Sequence, residues 1–249
     1  TRPCATAHRP PPRARPADRA AVLTAAEVDA LRLSLAVALR SVAFGLPVAV
    51  AVAWALVRSP LRGRTVLDAI VHLPLVLPPV AVGYLLLLLF GVRGPVGAWL
   101  DETFGIRLAF TTAGAALATA VMSFPLMVRA IRLSLEQVDR GLEDAARTLG
   151  AGPLDRFCTV TLPLIAPGIL AGAITAFAAG LGEFGAVVTF AANVPGETRT
   201  LPLALYTAIQ TPGGDASAAR LAALSFGLAL AGLVAAELVA RRVRVRLGR

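Results

Sequence analysis

The residues of this chain that could do chemistry are concentrated in one polar stretch between two apolar segments. The positions with fixed spacing in this stretch are Glu143, Asp144, Ala145, Ala146, Gly150, Leu162 and Pro163. Two neighbouring carboxylates on a short helix can form ion pairs with basic groups of a partner protein. We therefore expect the stretch to be a contact site between a membrane protein and a soluble one.

No catalytic grouping accompanies these carboxylates in the sequence. We find no Ser-His-Asp pattern, no paired carboxylates at acid–base spacing, and no His or Cys at metal-ligand spacing around Cys4 or Cys158. All 24 basic residues are arginine, so the phosphate-binding loop G-x-x-x-x-G-K-[ST] cannot be formed. We expect a protein that is not an enzyme and that has no metal and no cofactor of its own.

The composition places these residues in a membrane protein. Hydrophobic residues make up 57% of the 249 residues and charged residues 16%, with a mean hydropathy of +0.73. Soluble domains are about half apolar and a quarter charged. The net charge of +9 comes from arginines in short loops and in the C-terminal tail, which disfavours a nucleic-acid partner. The sequence predicts an all-α protein with membrane lipid around it.

Five apolar runs approach the length of about 20 residues that a helix needs to cross a bilayer. They lie at about 33–57, 66–90, 110–128, 164–190 and 221–240, within a domain at 28–243. Three prolines in the second run, Pro74, Pro78 and Pro79, must break or kink its helix. We expect polar loops at 91–110 and 193–220.

Residues 1–22 differ from the rest of the chain. They are rich in proline and arginine, lack apolar periodicity, and are therefore expected to be a disordered tail. They also lack the apolar region of a signal peptide. Whether this tail belongs to the native protein or is an addition upstream of its true start stays open.

The arginine distribution predicts the orientation in the membrane. The 58–65 loop, the 129–162 stretch and the C-terminus contain three, five and five arginines, whereas the loops at 91–110 and 193–220 contain two each. Positive residues are enriched on the cytoplasmic side. We expect the C-terminus to be cytoplasmic and the N-terminus outside, although the arginines of the tail oppose this placement.

Within the polar stretch, the coupling segment 133–162, apolar residues recur at three- and four-residue steps up to Leu149. Gly150 and Gly152-Pro153 then end the helical pattern. We expect one or two short amphipathic helices on the cytoplasmic membrane surface. A plain interfacial helix without a protein partner is the alternative interpretation.

The spacing favours the partner interpretation. An acid followed by two alanines, Gly150 after three more residues, and Leu-Pro after eleven more resemble the coupling-loop signature of type I ABC importer permeases, E-A-A-x3-G-x11-L-P. In that family, the short helix of this loop docks into a groove of the ATP-hydrolysing subunit. The acid at the strict position is Asp144, and Glu143 precedes it, so either carboxylate could contact the partner.

Four further segments look like the molybdate permease subunits of this superfamily: 72–84, 122–132, 181–185 and 195–200. The resemblance implies a type I ABC importer transmembrane domain with a cytoplasmic coupling helix, in a bacterial inner membrane. It implies as partners a second permease copy, a dimer of ATP-binding subunits, and a periplasmic or lipid-anchored molybdate-binding protein. Tungstate, sulfate and thiosulfate permeases are the alternatives for the substrate.

Ionisable residues at membrane depth are candidates for a pathway or gate. Glu183, with Phe184 and Gly185, is the first candidate, and Arg129 belongs to the same set. Because a carboxylate repels an oxyanion, we interpret Glu183 as a structural or gating residue that pairs with Arg129 or Arg199. The alternative is a residue at the end of a loop at the membrane interface. His72 is a second candidate, against the alternative of a hydrogen-bonded packing residue.

A secondary transporter or a channel without an ATPase partner is the alternative from another functional class. Secondary transporters commonly contain an inverted repeat. We find no repeat between the halves of the sequence, and such a protein would leave the coupling-loop spacing unexplained.

Overall fold

In a computed structural model, residues 23–60 and 62–246 are described, and the regular elements in these ranges are all helical. Residues 1–22, the expected tail, lie outside them. The helices are α1 Ala25–Arg58, α2 Arg64–Val76, α3 Pro79–Phe90, α4 Pro95–Phe104, α5 Thr112–Glu136, α6 Arg140–Thr148, α7 Pro153–Arg156, α8 Leu162–Leu181, α9 Gly185–Phe190, α10 Leu201–Gln210 and α11 Asp215–Arg246. One π-helical turn, Phe157–Thr161, joins α7 to α8. The predicted all-α membrane fold is confirmed.

Four helical stretches are long and apolar enough to cross a bilayer: α1, α5, the α7–α8 unit, and Asp215–Ala235 of α11. The helices α2 and α3 meet the same length and hydropathy criteria only when they are taken together, and the pair is bent by 117°, as in a broken span or a re-entrant loop. The bend lies at Leu77-Pro78, between the two helices. Pro79 is the first residue of α3, where proline is well tolerated because the N–H of a first helical residue has no partner within the helix. Pro74 lies inside α2 without ending it.

Two regions that the sequence predicted as polar loops contain helices. The 193–220 region, predicted as a loop, contains α10, and the 91–110 region contains α4. The helix α10 has only ten residues, too few for a span, but Leu201 and Leu203 are buried. The Leu201 N–H donates to Ser34 Oγ of α1 at 2.7 Å, so packing against α1 stabilises a helix that hydropathy alone does not reveal.

The helix α5 lies at the centre of the bundle, between α1 and α8. Its contact with α8 is lined by small residues: a Cβ at Gly172 would lie 3.2 Å from Met127 Cα, and one at Gly180 only 2.8 Å from Thr119 Cγ2. Small residues let helices approach closely where lipid supplies no hydrophobic driving force. This packing gives the coupling segment a rigid base, because it continues directly from α5.

At the other end of the bundle, Glu27 ties α1 to α11. Its side chain, 3% exposed, pairs with Arg220 at 2.9 Å and accepts from Ser217 Oγ at 2.8 Å. It also closes a capping box with Thr24. A buried carboxylate is tolerated here because its hydrogen-bonding capacity is satisfied.

Candidate coupling and gating sites

The coupling segment is built around α6, a nine-residue helix with defined ends. Asp139 caps its start by accepting from the Gly141 N–H at 2.8 Å. At its end, Gly150 adopts φ +89°, and the N–H groups of Gly150 and Ala151 donate to the carbonyls of Arg147 and Ala146, both at 3.0 Å. These two bonds form a Schellman motif, which requires the left-handed conformation that glycine adopts at little cost.

The first part of the predicted amphipathic helix belongs to α5 rather than to the coupling helix. The helix α5 continues to Glu136, and Gln137–Asp139 separate it from α6. Leu135 and Val138 are buried in the main core. The sequence pattern could not show this division, because the apolar spacing continues through the break.

The two candidate carboxylates of α6 have different surroundings. Glu143 is 15% exposed, and its Oε1 accepts from Arg58 Nη2 of α1 at 3.2 Å and from Thr161 Oγ1 at 2.9 Å. Asp144 is 62% exposed and pairs loosely with Arg147 at 3.6 Å. Glu143 is therefore bound inside the subunit, whereas Asp144 faces outward.

The coupling segment also presents an apolar surface. No residue of α6 or α7 is buried, and Leu142, Leu149 and Leu154 are 49%, 88% and 75% exposed. Ala145 is exposed as well, and Ala146 is half-buried. An apolar patch beside the carboxylate of Asp144 is typical of a protein-binding surface.

The return segment, Phe157–Thr161, leads from α7 into α8 and packs against α1. The rings of Phe157 and Trp54 meet edge to face, with centroids 5.1 Å apart. Leu162 is half-buried and Pro163 is exposed at the first turn of α8, where proline is well tolerated. The predicted opening of a span at Leu162-Pro163 agrees with the start of α8.

The helices α3 and α9 meet near their N-terminal ends, beside the interruptions that separate α3 from α2 and α9 from α8. A Cβ at Gly185, which opens α9, would lie 2.7 Å from Pro79 Cβ, which opens α3. A Cβ at Gly83 would lie 2.7 Å from the Ala186 carbonyl oxygen. The backbones of α3 and α9 are thus in direct contact beside both interruptions.

Glu183 lies at this junction, and the ion pairs of the described residues do not include the predicted one with Arg129 or Arg199. The carboxylate accepts from the Ala186 N–H at 2.9 Å, which satisfies a free donor of the first turn of α9. Arg199 Nε donates instead to Asn193 Oδ1 at 2.8 Å. Phe184, next to Glu183, packs on Tyr206 with ring centroids 5.1 Å apart.

His72 and Arg129 line a cavity of about 280 Å³ between α2 and α5. His72 Nδ1 lies 2.9 Å from the Asp68 carbonyl oxygen, which agrees with the hydrogen-bonded alternative. Arg132 Nη1 contacts Asp68 Oδ1 at 2.9 Å, and its Nε contacts Glu136. Sequence reasoning missed this ionic network, although the four-residue spacing of its members within α2 and α5 was visible.

Comparison with known proteins defines the class. The family model of binding-protein-dependent transport system inner membrane components matches residues 45–245. Among solved structures, a bacterial ABC transporter for import of the acidic polysaccharide alginate superposes with a TM-score of 0.69 at 18% identity, covering 88% of this chain and 80% of that one. A second solved structure, of an amino acid ABC transporter, superposes with a TM-score of 0.59 at 19% identity and covers 87% of this chain and 94% of that one.

Relatives of known function are more similar in sequence than these solved structures are. The molybdenum transport system permease protein ModB of Escherichia coli K12 is 57% identical over 228 residues, which is 92% of this chain and 100% of the relative. ModB of Haemophilus influenzae Rd is 49% identical, and the alignment covers 89% of this chain and 97% of the relative. The sulfate transport system permease protein CysT of Escherichia coli K12 is 40% identical, covering 64% and 57%.

The chain therefore belongs to the family of binding-protein-dependent transport system inner membrane components. It is a multi-pass permease subunit of an ABC importer, and the family is one of transport subunits rather than enzymes. The resemblance to molybdate permease subunits is confirmed by the relatives.

Proposed function

We propose that this chain is the membrane-spanning subunit of an ATP-driven molybdate importer. The observation that carries the proposal is the 57% identity to a molybdenum permease along that relative's whole length. The sulfate permease relative is less identical and covers less of both chains. Sulfate, thiosulfate and tungstate are the competing substrates.

The assembly that goes with this function contains two copies of the chain, two ATP-binding subunits, and a periplasmic or lipid-anchored binding protein for the oxyanion. The arginine pattern supports an orientation with the N-terminus outside and α6 in the cytoplasm. Because the chain lacks lysine and thus a phosphate-binding loop, ATP hydrolysis falls to the partner.

Asp144 is the carboxylate that contacts the ATP-binding subunit. Its exposure leaves it available for a basic group of the partner, whereas Glu143 is already held by Arg58 and Thr161. Leu142, Leu149 and Leu154 supply the apolar part of the same surface. This arrangement follows the usual anatomy of interfaces, with apolar anchors and charged positions around them.

The Asp144 assignment is tested by affinity measurements between the purified permease and the ATP-binding subunit. We expect Asp144→Ala to weaken the complex by about 2 kcal/mol, since truncating one partner of an interfacial charge pair leaves the other unpaired. Asp101→Asn, in an exposed ion pair on α4, is the matched control. An unchanged dissociation constant for Asp144→Ala would refute the contact.

The junction of the broken helices α3 and α9 is the proposed gate, formed by Glu183, Phe184 and Gly185. Alternating access requires rigid bodies that move about a defined point, and helix interruptions in close backbone contact provide one. The cavity beside His72 and Arg129 lies on the proposed cytoplasmic side of this gate, and Arg129 offers an exposed positive charge to a departing oxyanion.

The function itself is tested by ATP hydrolysis in the reconstituted complex. Molybdate-loaded binding protein is expected to stimulate hydrolysis, and sulfate-loaded protein is expected to leave it near the basal rate. Equal stimulation by sulfate would contradict the molybdate assignment. Uptake by the permease without any ATP-binding subunit would favour the secondary transporter or channel.

A further inference from the structure

The helix α6 needs a mechanical connection to the spans, because it buries no residue of its own. The described contacts that reach from its side chains into the bundle converge on Glu143. One oxygen of this carboxylate accepts from Arg58 Nη2 at 3.2 Å and from Thr161 Oγ1 at 2.9 Å. Arg58 is the last residue of α1, and Thr161 directly precedes α8.

These three residues, the Glu143 clamp, are largely withdrawn from solvent. The side chains of Arg58 and Glu143 are 10% and 15% exposed, and Thr161 is fully buried. Arg58 Nη2 also lies 3.5 Å from the Val138 carbonyl oxygen, just before α6. Charged hydrogen bonds are short-ranged and directional, and they are stronger in such surroundings than in water.

A second contact keeps α1 beside the return segment. Trp54 lies one turn before Arg58 on α1, and its ring packs against Phe157 with centroids 5.1 Å apart. A displacement of α6 relative to α1 would break the charged contact at Glu143, and a displacement of the return segment relative to α1 would break the aromatic contact. The ends of α1 and α8 are bound to α6 as a unit.

We propose that the Glu143 clamp transmits movement of α6 to α1 and α8, so that Glu143 is a positioning residue for coupling rather than a contact to the ATP-binding subunit. The inference rests on the proposed ATP-driven function. It gives separate roles to two adjacent acids: Asp144 holds the partner, and Glu143 holds the spans. Loss of the clamp leaves the complex assembled but lets α6 move without the bundle.

The test uses the full complex of permease, ATP-binding subunit and binding protein in vesicles, with molybdate as the transported probe. The readout is the number of molybdate ions taken up per ATP hydrolysed. We expect Glu143→Ala to lower this ratio about fivefold or more, the lower end of typical coupling effects, while retention of the ATP-binding subunit is unchanged. Asp101→Asn is expected to leave both readouts at the wild-type level.

Two further variants exclude a merely local structural effect. Glu143→Gln keeps an oxygen that accepts from Arg58 and Thr161 and is expected to restore most of the ratio. Thr161→Val preserves shape, removes one hydrogen bond, and is expected to lower the ratio even if Glu143→Ala fails to assemble. An unchanged ratio in Thr161→Val would overturn the proposal, and so would a folded Glu143→Ala permease that binds the ATP-binding subunit more weakly than Asp144→Ala does.

Failure of the proposed function is visible separately. If wild-type vesicles show no ATP-driven molybdate uptake, the importer assignment fails before any variant is compared. If the wild type transports and the clamp variants keep its ratio, only the transmission role fails.

Discussion

Adjacent residues on one short helix can have different surroundings, and on that basis we propose different tasks for Glu143 and Asp144. Consecutive positions of a helix point about 100° apart, so one carboxylate faces the bundle and the other faces away. Sequence spacing places both acids in the same motif and leaves their roles open. The two acids are distinguished by Arg58, 85 residues before Glu143, and by Thr161, 18 residues after it, because both contact Glu143.

Gly150 provides a prediction at the same scale. Alanine at its φ of +89° is expected to cost about 1–2 kcal/mol, because a Cβ is disfavoured in the left-handed region, although no atom would obstruct it. ATP-driven uptake should therefore fall for Gly150→Ala and stay near the wild-type rate for Gly150→Asn. Gly152→Ala, at φ −66° and equally unobstructed, is the control. Equal uptake by both alanine variants would contradict the helix-ending role.

Glu183 gives a second residue-level prediction. Glutamine keeps an oxygen for the Ala186 N–H, whereas alanine leaves that donor unpaired at a cost of about 1 kcal/mol. If the carboxylate acts by holding the start of α9, Glu183→Gln retains uptake within about twofold and Glu183→Ala does not. Loss of uptake in both variants would show that the charge itself is required.

At the scale of elements, the contact between α3 and α9 determines the shape of the proposed gate. Both helices begin where a span is interrupted, and glycine lies at each contact. A residue with a side chain at Gly83 would overlap the backbone of Ala186. This crowding leaves no room for a side chain at the junction.

The matching prediction concerns stability in detergent. Gly83→Ala is expected to lower the free energy of unfolding by about 1–3 kcal/mol, the usual cost of overpacking, and to lower the midpoint of thermal unfolding accordingly. Gly227→Ala on α11 meets no atom within 4 Å and should leave the midpoint unchanged or slightly raised. A Gly83→Ala midpoint equal to that of Gly227→Ala would contradict the close approach.

The elements that sequence reasoning predicted are those fixed by local rules. The broken second span follows from Pro78 and Pro79, and the end of α6 follows from Gly150. The features that it missed depend on distant contacts. The helix α10 is stabilised by Ser34 of α1, and Glu183 is satisfied by a backbone N–H that becomes available only where α9 starts.

At the scale of the whole molecule, the central helix α5 connects the cavity beside His72 to the coupling segment. It packs between α1 and α8, faces the His72 cavity, and leads into the coupling segment. A movement that the proposed Glu143 clamp passes from α6 to α1 and α8 therefore reaches two helices that pack directly on α5. Rigid, close-packed helices transmit such displacements instead of absorbing them.

The most direct test of the central claim is substrate uptake by the reconstituted complex. Vesicles containing the permease, its ATP-binding subunit and the binding protein would be supplied with molybdate, tungstate or sulfate, with and without ATP. We expect ATP-dependent accumulation of molybdate, no accumulation when ATP is omitted, and little uptake of sulfate. Accumulation of sulfate alone, or of molybdate without ATP, would contradict the assignment.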